Sequence, residues 1–194
     1  MTYDKLRTDR LLMRRWLEAD RAPFAVLSGD PDVIRYFPAP LSRAESDRMV
    51  DRIERQFDER GYGLWALEIA ATGEFIGFAG LNPMPDGVPG EGHSEVGWRL
   101  ARGAWRQGYA AEAGAAAIRV GIDEIGLGEI WSITAVVNKP SEAVMLRLGM
   151  QRIGEFEHPR LYVGHESRRH VAYRTTQVPV LIGRSGDPTH AVDA

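Results

Sequence analysis

Cysteine is absent from the 194-residue sequence. Within these residues, that absence excludes disulfides, a cysteine nucleophile and a cysteine-ligated metal. No apolar run approaches the length that a membrane-spanning helix needs. The amino-terminal segment also lacks the continuous apolar core of a signal peptide. We therefore expect a cytoplasmic, soluble protein without a membrane partner.

The sequence also lacks an excess of positive charge. Its 24 Lys and Arg residues are outnumbered by 27 Asp and Glu residues, whereas nucleic-acid-binding domains usually carry a basic surface. We therefore expect no nucleic-acid partner. The five histidines are not spaced like metal ligands, so no metal site is predicted.

The length of the chain is that of one domain of ordinary size. We assign residues 1–177 to a single domain. Residues 178–194 are rich in Pro, Gly and small polar residues, and we expect them to form a flexible tail. The alternative for the start of this tail is that residues 178–182 dock on a second subunit. The protein is therefore expected to be a monomer or a homodimer.

Helical and strand-like patterns are both present along the chain. Four segments have helical features: 18–29, 42–61, 109–125 and 140–149. Seven runs are strand-like: 10–16, 63–70, 74–82, 94–101, 130–138, 151–157 and 167–176. In the second helix, Ser42 and Glu45 form a capping box, and Gly61 suits the helix end. This order predicts a mixed α/β (α+β) fold, with a mainly antiparallel sheet of about six to seven strands and about four helices.

In the segment GAWRQGYAAEA (103–113), one aromatic and two long polar residues lead into Gly108, where the third helix begins. Gly108 precedes Tyr109 and a run of alanines, so the unpaired N–H groups of the first turn would be open to a ligand. Those groups and the helix dipole can seat an anion such as a pyrophosphate. The alternative is that Gly108 only permits a tight entry into the helix. Neither a P-loop nor a dinucleotide fingerprint is present, because their Gly-Lys-Ser/Thr and triple-glycine patterns are missing.

Five segments in the same order resemble the GCN5-related N-acetyltransferase (GNAT) superfamily, and the resemblance covers roughly residues 8–175. They are 61–81, 94–100, 105–113, 135–156 and 157–174. The family's pyrophosphate turn is Gln/Arg-x-x-Gly-x-Gly/Ala. Gly108 and Ala110 match it, and Trp105 occupies the Gln/Arg position. A Trp there is common in the branch that acetylates the amino-terminal alanine or serine of ribosomal proteins, which this chain resembles more closely.

The resemblance implies the GNAT fold, acetyl-CoA as donor with coenzyme A as product, and an amine as acceptor. It assigns the backbone of one turn to the pyrophosphate: Arg106, Gln107, Gly108, Tyr109, Ala110 and Ala111. It also implies a bulge in the run 94–101, where a backbone N–H group of Trp98, Arg99 or Leu100 would hold the oxyanion. Asn138 would bind the pantetheine arm, although it could instead simply end its strand.

Amine acetylation needs a base, because a protonated amine cannot attack a thioester. Glu95 is the first candidate, since it alternates with Gly97 and Arg99 on the face opposite the apolar residues of its run. The alternative is a surface carboxylate paired with Arg99 or Arg119. Glu68 and His158 are the rival bases.

The departing thiolate needs a proton or a hydrogen bond. Many relatives use a tyrosine seven residues after the Asn, but Met145 stands there and cannot donate. Ser141, three residues after Asn138, resembles the donor of the ribosomal-protein branch. The alternative role for Ser141 is helix capping. Without cysteine, transfer should be direct, within a ternary complex.

The acceptor is the least determined feature. Four residues are candidates to contact it: Tyr36, Phe37, Trp65 and His158. A protein amino terminus is favoured over a small-molecule amine because of the branch resemblance. The alternative from another class is a non-catalytic acyl-CoA-binding or scaffold protein with a decayed site, to which Met145 lends its only support.

Overall fold

The computed structural model describes residues 2–181, and one eight-stranded sheet forms its centre. The strands are β1 (Lys5–Arg7), β2 (Leu11–Arg14), β3 (Leu64–Ile69), β4 (Phe75–Pro83), β5 (Ser94–Leu100), β6 (Ile130–Ala135), β7 (Gln151–Glu157) and β8 (Arg169–Thr175). Their order across the sheet is β1-β2-β3-β4-β5-β6-β8-β7. Every neighbouring pair is antiparallel except β5 and β6, which are parallel.

Helices cover both faces of the sheet. They are α1 (Arg21–Gly29), α2 (Arg43–Arg60), α3 (Tyr109–Arg119) and α4 (Lys139–Arg147). Phe78 of β4 meets Phe24 of α1 with ring centroids 5.9 Å apart, so α1 lies on the face that Phe78 shares. A Cβ on Gly121, just after α3, would lie 3.2 Å from the side chain of Leu81, so α3 and its continuation cover the opposite face.

The mixed α/β fold predicted from the sequence is confirmed. The sheet has eight strands rather than six or seven, because β1 is a separate strand paired with β2. A three-residue strand is too short for its hydrophobic period to be visible in the sequence. The third helix is regular only to Arg119, and a wider π turn follows over Val120–Ile125.

The capping predictions for α2 are also confirmed. The Ser42 side chain accepts a hydrogen bond from the Glu45 N–H, and Glu45 accepts from the Ser42 N–H, which completes the capping box. Gly61 ends the helix at φ +77°, a left-handed conformation that glycine adopts without a steric penalty.

The predicted tail starts within the described residues but mostly lies outside them. Leu181 is half-buried and packs against the main core, and residues 182–194 are not among those described. Within residues 2–181, none of the helices combines the length and the apolar character that crossing a bilayer requires.

Candidate active site

The two parallel strands β5 and β6 part from each other near the middle of the sheet. They pair only at Ser94 with Ile130 and at Glu95 with Trp131, although β5 continues to Leu100. One hydrogen bond bridges the start of the opening, from Ser132 Oγ to the Val96 carbonyl at 2.9 Å. A gap therefore opens between the carboxyl-terminal parts of the two strands.

Backbone groups of β5 are directed into this gap. Along an antiparallel strand, successive residues direct their N–H and C=O groups to opposite edges. The Ala101 N–H bonds to the Ile76 carbonyl of β4, which continues the β4–β5 register and puts Arg99 in the hydrogen-bonded set. Trp98 and Leu100 therefore direct their N–H groups towards β6, beyond the last β5–β6 pair.

The predicted bulge in this strand is wrong. All seven residues of β5 pair with β4 in one uninterrupted register, from Ser94 with Pro83 to Leu100 with Gly77. An exposed N–H arises instead because β6 turns away. The backbone N–H of Arg99 is also unavailable for the predicted oxyanion contact, because Arg99 pairs with Phe78 of β4.

The turn before α3 has the open backbone that the sequence indicates. Gly108 is the N-cap at φ +86°, and no side chain from residues 2–181 caps the helix. Arg106 also has a positive φ of 61°, which is rare for a residue with a Cβ. The Trp105 indole donates to the Leu100 carbonyl at 2.8 Å, which ties the turn to the end of β5. The first N–H groups of α3 thus stand beside the gap.

An ion-pair network that no local sequence pattern predicts holds this turn. Arg10 donates to the Gln107 carbonyl at 2.9 Å and pairs with Glu112 at 2.6 Å. Thr8 Oγ1 also donates to Glu112 at 2.6 Å. Burial opposes ionisation of Glu112, but the hydrogen bonds from Thr8 and Arg10 outweigh it and lower the Glu112 pKa.

Guanidinium groups also surround the turn. A Cβ on Gly108 would lie 3.4 Å from Arg10 Nη2 and 4.0 Å from Arg147 Nη1. Arg147 ends α4 and makes no ion pair with any residue between 2 and 181. Positive charge and open N–H groups together suit an anionic ligand.

Glu95 lies on the α1–α2 face of β5, where the two parallel strands begin to part. Its Oε1 accepts a hydrogen bond from Asn82 Nδ2 at 3.1 Å. Burial raises the pKa of Glu95 to about 7, with the Asn82 hydrogen bond acting against the shift. The alternative of a surface ion pair is wrong, because neither Arg99 nor Arg119 pairs with Glu95 in the described chain.

Open space lies next to two neighbours of Glu95, Gly97 and Asn82. A Cβ on Gly97, two residues along the same face, would meet no atom within 4 Å. Asn82 lines a cleft of about 650 Å³ between α2 and the loop that follows β4, with Gln56 and Arg160 among its other walls. An acceptor could therefore approach Glu95 from the α2 side.

The rival bases occupy less suitable positions. Glu68 is already paired with Arg14, at 2.9 Å. It lies on β3, one residue after Leu67, which pairs with Gly77 of β4, and Gly77 in turn pairs with Leu100 at the end of β5. Glu68 is therefore two strands away from β5, near the end of β5 opposite to Glu95. His158 follows β7, so β6 and β8 lie between it and β5 in the sheet, although Arg160, two residues further on, lines the cleft beside Asn82. Burial, and then the charge of Arg160, lower the His158 pKa.

Asn138, and not Ser141, caps α4. Its Oδ1 accepts from the Ser141 N–H at 3.3 Å, and its Nδ2 donates to Thr134 Oγ1 at 3.0 Å. The capping alternative for Ser141 is therefore wrong. The Ser141 side chain is half-buried, and no partner for its hydroxyl occurs among the residues described. Met145 is only 1% exposed and belongs to the core, so its position is filled by packing.

The four predicted acceptor contacts divide by location. The prediction that Trp65 contacts the acceptor is wrong, because Trp65 is completely buried and its indole donates to the Tyr3 carbonyl at 2.7 Å. Both faces of β3 are covered, so an aromatic residue there is core. Phe37 is partly exposed, and Arg99 lies over its ring at 4.2 Å. Tyr36 is half-buried beside it, and the His158 ring lies 4.7 Å from the His170 ring, tilted by 54°, on the far side of β6.

Comparison with known families and curated proteins gives a consistent result. Residues 10–151 match the model described as the acetyltransferase (GNAT) domain. The uncharacterized protein YkkB of Bacillus subtilis is 34% identical over 149 residues, covering 75% of this chain and 84% of YkkB. The uncharacterized N-acetyltransferase YoaA of the same organism is 29% identical over 154 residues, covering 77% and 84%.

Solved structures agree in fold. An acetyltransferase from Agrobacterium tumefaciens superposes with a TM-score of 0.74 at 25% identity, covering 91% of this chain and 96% of that one. A ribosomal-protein-S5-alanine acetyltransferase from Vibrio fischeri superposes with a TM-score of 0.67 at 15% identity, covering 89% and 96%.

Proposed function

The chain belongs to the GNAT acetyltransferase family, and from this premise we propose that it transfers the acetyl group of acetyl-CoA directly to a primary amine. The observation that carries the proposal is Glu95, a carboxylate with a pKa of about 7 at the point where β5 and β6 part. A base with that pKa is about half ionised at pH 7 and can accept a proton there.

The donor would occupy the gap between β5 and β6. Open N–H groups of Gly108, Tyr109, Ala110 and Ala111 would bind its pyrophosphate, assisted by Arg106, Gln107 and Arg147. Trp98 and Leu100 direct N–H groups into the gap, which supports their role in holding the pantetheine arm and the oxyanion. Asn138 is engaged in capping, so it would reach the arm only through its second Nδ2–H group or the remaining acceptor capacity of its Oδ1.

The reaction needs two proton movements. Glu95, directly or through a water, takes a proton from the ammonium group of the acceptor, and the free amine attacks the thioester carbonyl carbon. The attacking nitrogen gives up its second proton as the tetrahedral adduct collapses, the carbon–sulfur bond breaks, and that proton, carried by water, neutralises the departing thiolate. The Ser141 hydroxyl would hydrogen-bond that sulfur.

The favoured acceptor is a protein amino terminus, with a small-molecule amine as the close alternative. Support for the first is the resemblance to the ribosomal-protein branch. Support for the second is the moderate volume of the cleft beside Asn82. A non-catalytic acyl-CoA-binding protein is the competing function, and the poised Glu95 argues against it.

The test is acetylation of a mixed panel. Purified protein is incubated with acetyl-CoA and with small amines or amino-terminal peptides, and products are identified by mass spectrometry. We expect an acetyl group on one amine class and release of coenzyme A in equal amount. Tight acetyl-CoA binding without any acetylated product would instead support the non-catalytic protein.

Gly108→Ala is expected to weaken acetyl-CoA binding by roughly tenfold, because a Cβ there crowds the anion seat and strains the backbone. Gly126→Ala is the matched control, since Gly126 has nearly the same φ, +81°, but ends the helical segment far from the turn. Both variants should lose similar stability, and calorimetry should find weaker binding only for Gly108→Ala. Equal affinities would remove the pyrophosphate assignment.

A further inference from the structure

We propose that Arg99 binds an anionic group of the acceptor, so that the substrate is an amine which also carries a carboxylate or a similar anion. The inference rests on the proposed acetyl transfer and adds the chemical class of the acceptor to it. The shared chemistry is the carboxylate, whether it belongs to a small amino acid or to an acidic residue near a peptide amino terminus.

Arg99 is a cation without an anion. Its Nε atom is buried and has no hydrogen-bond partner, and no carboxylate between residues 2 and 181 forms an ion pair with it. Among the residues described, the one polar contact of its side chain is that of Nη1 with Ser28 Oγ, at 3.5 Å. Two aromatic rings flank the guanidinium, those of Phe37 at 4.2 Å and Phe78 at 5.5 Å.

This arrangement is costly unless something pairs with it. Burial alone lowers the pKa of Arg99 to about 10, so the side chain is still protonated at neutral pH. A buried charge without a partner destabilises a fold, and such groups are retained mostly at functional sites. The nearby Arg102 differs, since it is exposed and pairs with Asp32 at 2.7 Å.

Glu95 and Arg99 also lie on one face of one strand, with only Gly97 between them. Their Cα atoms are about 13 Å apart at the usual rise of a strand, and both side chains can lean over the open glycine. No atom would lie within 4 Å of a Cβ on Gly97. Two opposite charges, each without an ionic partner in the described part of the chain, thus frame an open floor that would accommodate an ammonium group at one end and a carboxylate at the other.

The experiment compares acceptors that differ only in charge. γ-Aminobutyrate and ε-aminocaproate are each assayed beside their own amides, and the peptide amides Ser-Asp and Ser-Asn form the second arm. We expect kcat/KM to be roughly 10- to 100-fold higher for the carboxylate member of at least one pair. The arm that shows the preference distinguishes a small amino acid from an acidic peptide.

Arg99→Met should abolish that preference while the acetyl-CoA affinity and the rate with the neutral amine stay within about twofold. Arg99→Lys should keep part of it. Arg119→Met, at an exposed position of α3, should change nothing. The melting temperature of Arg99→Met should equal or exceed that of the wild type, since an unpaired buried charge has been removed. A large loss of stability would instead mark Arg99 as structural and overturn the proposal.

Binding of caproate, which has no amine, separates this inference from the proposed reaction. Calorimetry in the presence of coenzyme A should detect caproate binding to the wild type and much weaker binding to Arg99→Met. If no amine is acetylated, the proposed function fails, and the caproate result still decides the role of Arg99. Equal caproate binding, or an equal carboxylate preference in Arg99→Met, would overturn the inference.

Discussion

Glu95→Gln is expected to lower kcat/KM for acetyl transfer by roughly 10²- to 10⁴-fold near neutral pH, the range that a lost general base usually produces. Glutamine keeps the size of the side chain and can still accept the hydrogen bond from Asn82. Acetyl-CoA affinity should therefore stay within about twofold, because nothing at the cofactor turn changes. Single-turnover rates and calorimetry measure the two quantities separately.

The pH profile gives the same assignment a second test. Glu95 is active as the carboxylate, so the wild-type rate should rise with pH through about 7 and then level off. This limb should be absent from Glu95→Gln. An acceptor amine also titrates, so the profile is measured with two acceptors of different pKa. A midpoint that follows the acceptor would assign the limb to the substrate instead of Glu95.

Stability should change in the opposite direction to activity. The raised pKa of Glu95 means that the folded protein holds this proton more tightly than the unfolded chain, whose glutamates titrate near pH 4.3. The stabilisation that protonated Glu95 adds to the folded state is fully present below that pH and is lost as the pH rises through about 7. Glu95→Gln should therefore melt higher than the wild type in mildly alkaline buffer and show no such gain in acid.

Glu68→Gln is the matched control for the choice of base. Glu68 pairs with Arg14, which also binds Asp20, so this variant should lose stability and keep its chemical step. A normal rate in Glu95→Gln together with a slow one in Glu68→Gln would transfer the role to Glu68.

Local signals made much of the fold predictable. The capping box of α2 and the open glycine of the α3 turn are set by residues within four positions of each other, so their chemistry is visible in the sequence. The strand runs were recognised for the same reason. The extra strand β1 and the π turn after α3 have no such signal, because three residues are too few to show a strand period and the π turn continues the apolar stripe of α3.

The site was predictable only in part, because its charges are arranged by long-range contacts. Arg10 and Glu112 lie 102 positions apart in the chain, and no periodicity connects them. Alternation along β5 correctly separated Glu95 and Arg99 from the apolar face, but it could not show that the 30–37 loop brings Phe37 over Arg99. Trp65 was misassigned because an aromatic residue in a strand has the same pattern in a core as in a cleft.

The remaining catalytic assignment concerns Ser141, and the structure gives it a sharper test than the sequence did. Asn138 caps α4 and Ser141 contributes only its backbone N–H to that cap. A change at Ser141 therefore leaves the cap intact. Rate and stability, which a capping serine would couple, can now be separated with two neighbouring variants.

Ser141→Ala is expected to slow acetyl transfer by roughly 10- to 1000-fold, because the departing thiolate loses its hydrogen-bond donor. Acetyl-CoA affinity and the melting temperature should hardly change, since the thioester gains little from that bond before the sulfur becomes charged. Ser141→Thr, which keeps a hydroxyl, should retain much of the rate. Asn138→Ala, in contrast, should lower the free energy of unfolding by about 1 kcal/mol, because it removes the helix cap. Single-turnover rates beside thermal melts measure both effects. A normal rate in Ser141→Ala would remove Ser141 from the reaction and leave solvent to protonate the thiolate, because the core position of Met145 offers no donor in its place.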